Sequence, residues 1–388
     1  MAETLDGTAR YGTLDRLLHR LAFVHPSLQR VLGDVENDLF RKRLAEVHAE
    51  RPVFVTGLPR AGTTLVLELL YGTGEFASFT YRQMPFVLNP LLWDRLGMRP
   101  RRKTAPRERA HGDAMMIDVD SPEAFEEVLW INHLADTLFD GETMRPLGPD
   151  DLTADFRTAY RQLARKLVCL SGDGRTRTPS PSPSPSTPSP SPSPPPLRYL
   201  SKNNANIARL PAVASVFDDA TLLCCFRHPA AHVASLHAQH RRFLDLHDDD
   251  PFAQRYMAWI GHHDFGRNFR PIRFAATRGG DERGGAAYDL PATEPAFWVR
   301  YWIDAYRHAL DTAPPQASFV RFEDFLEDGP GALERLATRV GLVRPAALID
   351  AAATLRSPTS TPEPLSSVAP GLADEAEALY RTLSERSG

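Results

Sequence analysis

The chain has 388 residues, 42% hydrophobic and 24% charged, which is the composition of an ordinary globular protein long enough to bury one or two cores. A formal net charge of −4 excludes a uniformly basic, nucleic-acid-coating protein but leaves room for a local basic pocket. Three cysteines exclude a disulfide framework, no apolar run reaches the ~20 residues of a bilayer span, and the start MAETLDGTAR has no charged-then-apolar leader pattern; the expectation is a soluble, cytoplasmic protein.

In chain order, residues 52–56 (PVFVT) form the first strand signal, a compact β-branched run. The glycine-rich turn GLPRAG follows at 57–62, then an amphipathic helix over 63–70. Residues 99–109 are strongly basic and read as a solvated loop. Residues 113–166 read mainly as helix and belong beside or above a sheet. Within them, Asp120-Ser-Pro-Glu123 has the features of a helix start: a capping Asp120 or Ser121, Pro122 in the first turn and acids after it.

Residues 179–196 hold 10 of the chain's 34 prolines and 7 serines. Each proline fixes φ and removes an amide donor, so the stretch is expected to be a solvated polyproline-like arm. Because LRYLS at 197–201 reads as a strand directly after it, 171–196 is an insertion in one domain rather than a boundary between two. Residues 220–226 (ATLLCCF) are a buried strand, followed by Arg227, His228, Pro229 and a helix through Leu236. Residues 317–321 (ASFVR) are another, with a helix around 331–340. Repeated strand–loop–helix units predict an α/β fold, a parallel sheet flanked by helices with ligands beyond the carboxyl ends of its strands. The expected organisation is a single domain over 1–388, with its core at about 50–345, the Ser-Pro insertion, and a tail or helix over 346–388.

Gly57-Leu-Pro-Arg-Ala-Gly62-Thr63-Thr64 has the spacing of the phosphate loop G-x-x-x-x-G-K-[ST], except that Thr63 occupies the lysine position. Amides near Gly62–Thr64 can converge on an anion at the helix start, and the loop's own cation is Arg60. That substitution argues against an ordinary NTPase. Arg227 leaves a strand end and Ser235 lies roughly two turns along the next helix, a guanidinium and a hydroxyl placed to suit a phosphate monoester.

The run VTGLPRAGTTLVLELL resembles the 5′-phosphosulfate loop of sulfotransferases that use PAPS (3′-phosphoadenylyl sulfate), above all the bacterial type with G-x-P-R-[ST]-G-T-T. Ala61 stands where that family often has a hydroxyl residue. LLCCFRHPAAHVASL resembles the family's strand–R-x-P–helix–Ser motif, FVRFEDF its Y-E-D-[FL] segment, and YLSKNNANIARL the segment whose lysine precedes the central loop. The resemblance covers most of about 50–345. It implies a P-loop-like fold with a helical substrate-side region, and sulfuryl transfer from PAPS to a hydroxyl or amine of a small-molecule, glycan or lipid acceptor, with no metal and no nucleic acid. Carried over residue by residue, it makes Arg60, Ala61, Gly62, Thr63 and Thr64 the phosphosulfate site, Arg227 and Ser235 the 3′-phosphate site, and Arg60 and Lys202 the catalytic cations.

The base is harder to place. Relatives with a histidine two residues after the lysine have no counterpart here, since Asn204 stands there, and the zone where others carry a glutamate reads Tyr81-Arg82-Gln83-Met84. His111 ranks first for its unperturbed pKa near neutrality, followed by Asp113 and Glu127. The competing readings are a P-loop nucleotide kinase or NTPase, and a catalytically silent nucleotide-binding protein. The histidine pairs His228/His232 and His237/His240 lack a third metal ligand and read as exposed helix residues. Cys224 and Cys225 read as buried packing residues. Trp298, Tyr301 and Trp302 read as an aromatic helix face in the core.

Overall fold

The computed structural model describes residues 13–23, 25–97, 107–108, 116–117, 120–172, 195–274, 290–356 and 363–387. His111, Asp113, the run 98–106 of the basic patch and nearly all of the Ser-Pro insertion lie outside the described residues.

The apolar runs pair side by side as expected. β1 (Val53–Thr56), β2 (Phe76–Ala77), β3 (Arg198–Lys202), β4 (Thr221–Phe226) and β5 (Ala317–Arg321) make one sheet in the order β2-β3-β1-β4-β5. Every neighbouring pair is parallel, with Val53 of the central β1 opposite Leu200 on one side and Thr221 on the other. Parallel strands are covered on both faces, which is why these runs show no polar alternation. Their side chains nevertheless divide with a period of two. Phe54, Tyr199, Leu222, Cys224, Phe226 and Phe319 enter the larger core, whereas Val53, Val55, Leu200, Leu223, Cys225 and Val320 enter the smaller one.

The smaller core is closed by α1 (Thr63–Gly72), through Val66, Leu67 and Leu70, and by α6 (Gly329–Val340), through Leu333, Leu336 and Val340. Each such side chain contributes about 1.5–3 kcal/mol on burial. On the other face lie α2 (Glu127–Leu138), α3 (Ala154–Gly172), α4 (Pro229–Asp249), α5 (Pro295–Thr312) and α7 (Pro370–Glu385). Phe156, Tyr160, Leu163 and Leu167 form the buried stripe of α3, and Tyr160 meets Phe54 of β1 edge-on at 6.0 Å.

Two local expectations change and a third is narrowed. The helix expected to start at Ser121–Pro122 starts instead at Glu127. Pro122 bridges to Thr80 and the Glu123 amide donates to the Phe79 carbonyl, so tertiary pairing with the chain after β2 holds this segment extended. Tyr81 and Arg82 complete that clamp on Glu123 and Asp120. The C-terminal stretch is a docked helix: Ala376, Leu379 and Leu383 of α7 are buried, and Tyr380 Oη accepts from Arg321 at 2.9 Å and donates to Glu323 at 3.2 Å. His232 and His240, expected on an exposed face, are buried because α4 is packed on several sides.

Gly57 directly follows β1 with φ of +136°, and a Cβ there would stand 2.2 Å from the Cys225 carbonyl oxygen of β4. Gly57→Ala therefore combines backbone strain with a clash the sheet cannot relieve, and is expected to destabilise the fold by about 2–5 kcal/mol. Thermal unfolding reads this directly; a midpoint equal to that of the unsubstituted protein would refute the close approach.

Candidate active site

Three loops leave the carboxyl ends of adjacent strands β3, β1 and β4, the crevice where this sheet order reverses. The loop after β1 carries Arg60 in the left-handed region at φ 71°, a conformation costing about 1–3 kcal/mol for a non-glycine residue. Gly62 stands at the start of α1 with φ 89° and no side-chain cap on the helix. A Cβ on Gly62 would lie 2.6 Å from the Phe322 ring, so glycine alone lets that ring cover the loop. The uncapped amides of the first turn and the helix dipole suit an anion at this point.

α4 grips the loop at two places. Its His232 donates from Nε2 to the Pro59 carbonyl at 2.7 Å, while Nδ1 accepts from the Trp302 indole at 3.1 Å. These two bonds require the neutral Nε2–H tautomer, and complete burial pushes the pKa of His232 down to about 3, which keeps it so. One turn on, Ser235 Oγ accepts from Arg60 Nε at 3.1 Å, leaving its own proton to donate.

Arg227 enters the same place from the end of β4. Its guanidinium lies 5.1 Å from the Phe322 ring centre. Burial lowers its pKa, with the Glu323 carboxylate opposing and the Arg60 cation adding to the effect. Two guanidinium groups that repel one another, beside uncapped amides, form a site whose electrostatics favour an anion between them.

Lys202, the last residue of β3, is buried opposite Val55. Burial pushes the Cys225 thiol up to about 12, with the nearby Lys202 cation opposing, so Cys225 stays an inert packing residue, as does Cys224. Beyond Lys202, the Asn203 amide donates to the Val55 carbonyl and Thr56 Oγ1 to the Asn204 carbonyl. Thr63 Oγ1 donates to Asn204 Oδ1, and Asn204 Nδ2 to Asp264 Oδ2, both at 3.2 Å. Asn204 thus ties the start of α1 to a small cleft, open at its mouth and lined by Leu58, Pro59, His263, Asp264, Trp298 and Tyr301 among others. Trp298 and Tyr301 are buried, as the aromatic face predicts, but they also form a wall of this cleft.

A family model described as "Sulfotransferase family" matches residues 52–277, more than half of the chain. The chain belongs to the sulfotransferase family. The matched range holds the β1 loop, Lys202, Arg227 and Ser235, and stops short of α5, β5 and Phe322. Among solved structures, this sulfotransferase is similar to sulfotransferase STF9 from Mycobacterium avium (15% identity, TM-score 0.48, covering 98% of this chain and 87% of that one). It is also similar to sulfotransferase STF1 from Mycobacterium tuberculosis (13%, 0.44, 97% and 88%) and to a sulfotransferase from Alicyclobacillus acidocaldarius (13%, 0.36, 88% and 95%). No match was found among curated proteins. No helix among the described residues is long and apolar enough to cross a membrane.

The sulfotransferase brings together Arg60, Gly62, Thr63, Arg227 and Ser235 around one loop, with Lys202 on the neighbouring strand. Glu127, a candidate base by sequence, has another place: both its oxygens accept from Arg209, at 2.7 and 2.8 Å, and Oε2 accepts from Asn203 as well. A carboxylate so occupied holds the Asn203–Asn204 turn rather than facing the cleft. Sequence reasoning missed His232, Asn204, Phe322 and the Gly261-His-His-Asp264 turn. The i, i+3 spacing of His232 and Ser235 on one helix face was a usable signal. Phe322 gave none, since only its position across the sheet brings it over Gly62.

Proposed function

We propose that this sulfotransferase moves a sulfuryl group from PAPS to a hydroxyl or amine group of an acceptor bound in the cleft beside Asn204. One observation carries the reading: Arg60, Ser235 and Arg227 converge beside the uncapped start of α1. The residues present fit a donor with two anionic ends. The Gly62–Thr64 amides and Arg60 hold the 5′-phosphosulfate; Ala61 supplies backbone only. Arg227 and the Ser235 hydroxyl hold the 3′-phosphate, the group that distinguishes this donor from ATP. When bound, PAPS supplies the activated sulfuryl group and a phosphate leaving group. Arg60 and Lys202 then balance the charge that builds on the leaving and transferred oxygens. The buried free cysteines suit a reducing compartment, and we place the reaction in the cytoplasm.

Thermal shift tests the reading. PAP, the desulfated donor, at a hundred times its Kd stabilises the protein by about 2.7 kcal/mol. It is expected to exceed equimolar ATP–Mg, and the reverse ranking would favour a P-loop kinase or NTPase. Arg227→Ala is expected to abolish the preference for PAP over 5′-AMP, and a preserved preference would remove Arg227 from the site.

A further inference from the structure

Resting on that donor reading, we propose that Tyr380 of the C-terminal helix α7 is a positioning residue of the 3′-phosphate site, acting through the Glu323 carboxylate on the turn that carries Arg227. The helix lies beyond residues 52–277, the range that the family model matches. Its docking is firm: Glu375 accepts from Arg307 of α5 at 2.6 Å, and Ala376, Leu379 and Leu383 enter the larger core. That docking brings the Tyr380 ring to the end of β4, with centroids 5.8 Å from the Phe226 ring and 4.8 Å from the His228 imidazole. The two residues flanking Arg227 therefore both pack against Tyr380.

Hydrogen bonds run in one chain from α7 to that turn. Arg321 Nε donates to Tyr380 Oη at 2.9 Å, and Oη donates to Glu323 Oε2 at 3.2 Å. The other oxygen, Oε1, accepts from the His228 amide at 2.9 Å. His228 gives α4 no side-chain cap, so it is the Glu323 carboxylate that secures the backbone where the chain turns from strand to helix. Burial, with the Glu323 charge adding to it and Arg321 opposing, pushes the Tyr380 phenol up to about 12. The hydroxyl thus keeps the proton that it donates.

This chain of bonds decides where Glu323 points. The carboxylate is near enough to Arg227 for its charge to oppose the fall in the guanidinium's pKa. A carboxylate so placed is the natural rival of a phosphate for the same arginine. With Oε1 on the His228 amide and Oε2 on the Tyr380 hydroxyl, Glu323 is held to the backbone turn instead. Loss of the hydroxyl releases Oε2 toward Arg227 and slackens the turn, and both effects weaken the hold on a 3′-phosphate. Neither touches Arg60 or the Gly62–Thr64 amides, which serve the other end of the donor.

Calorimetric titration of the full chain with PAP and with 5′-AMP tests the proposal. Tyr380→Phe keeps the ring against Phe226 and His228 and removes only the hydroxyl. It is expected to raise the Kd for PAP about tenfold and to leave that for 5′-AMP, which has no 3′-phosphate, within about twofold. In a Glu323→Gln background the same substitution should change the PAP Kd by less than about twofold, because the path to Arg227 runs through the carboxylate. A merely structural loss would weaken both nucleotides alike and would persist in that background. If Tyr380→Phe fails to fold, Tyr380→Leu serves in its place. An unchanged PAP Kd, an equal loss for both nucleotides, or an undiminished effect in the Glu323→Gln background overturns the positioning role. Failure of PAP to bind the unsubstituted protein overturns the donor reading instead.

Discussion

Lys202→Ala is expected to lower kcat about 10²–10³-fold while PAP still stabilises the protein. Lys202 ends a fully buried strand beside the carboxyl end of β1, so its backbone is fixed by the sheet rather than by a loop. A cation carried there would act on charge that grows in the transition state, so its removal should appear in kcat more than in donor affinity. Single-turnover transfer of labelled sulfate to an acceptor found by screening separates the chemical step from product release. An unchanged chemical rate, with the fold intact, would exclude Lys202 from the reaction.

Glu127→Ala is expected to be the most destabilising substitution in the site region, at about 3–5 kcal/mol. The Glu127 carboxylate makes a bidentate pair with Arg209, which is 1% exposed and lies 4.4 Å over the Trp130 ring. Taking away the carboxylate strands a buried guanidinium, whereas replacing both partners with apolar residues of similar size should recover part of the loss. Urea unfolding of the single and double variants measures both effects. A loss below about 1 kcal/mol for the single variant would show that water already reaches Arg209. Because Asn203 Nδ2 also donates to Glu127 at 2.8 Å, the turn bearing Asn204 should loosen in the same variant.

The two substitutions mark different depths of legibility. Lys202 was legible as a candidate from its strand and from the resemblance of YLSKNNANIARL. The role of Glu127 was not, because an acid near a helix start looks alike in sequence whether it faces water, a cap or a buried arginine. Asn204 is similar: in sequence it was only a missing histidine, and in the fold it bridges Thr63 and Asp264. The helix expected at Ser121 shows the converse, a sound local signal overridden by pairing of Pro122 with Thr80.

Local pattern alone determined the strands, the glycine loop and the Arg227–Ser235 unit, since each is a matter of neighbouring residues and short-range sterics. The short apolar runs VFVT and TLLCCF could bury both faces only in a covered parallel sheet, and the glycines at 57 and 62 stand where φ is positive. Tertiary structure alone decided which distant groups meet. Arg60 and Ser235 lie 175 residues apart, Thr63 and Asn204 lie 141 apart, Glu127 and Arg209 lie 82 apart, and Asn204 and Asp264 lie 60 apart. Such meetings depend on strand order and on the angle at which helices cross the sheet. Local periodicity carries neither, so the glycine loop was legible from residues in a row while the walls of the cleft emerge only from the packed chain.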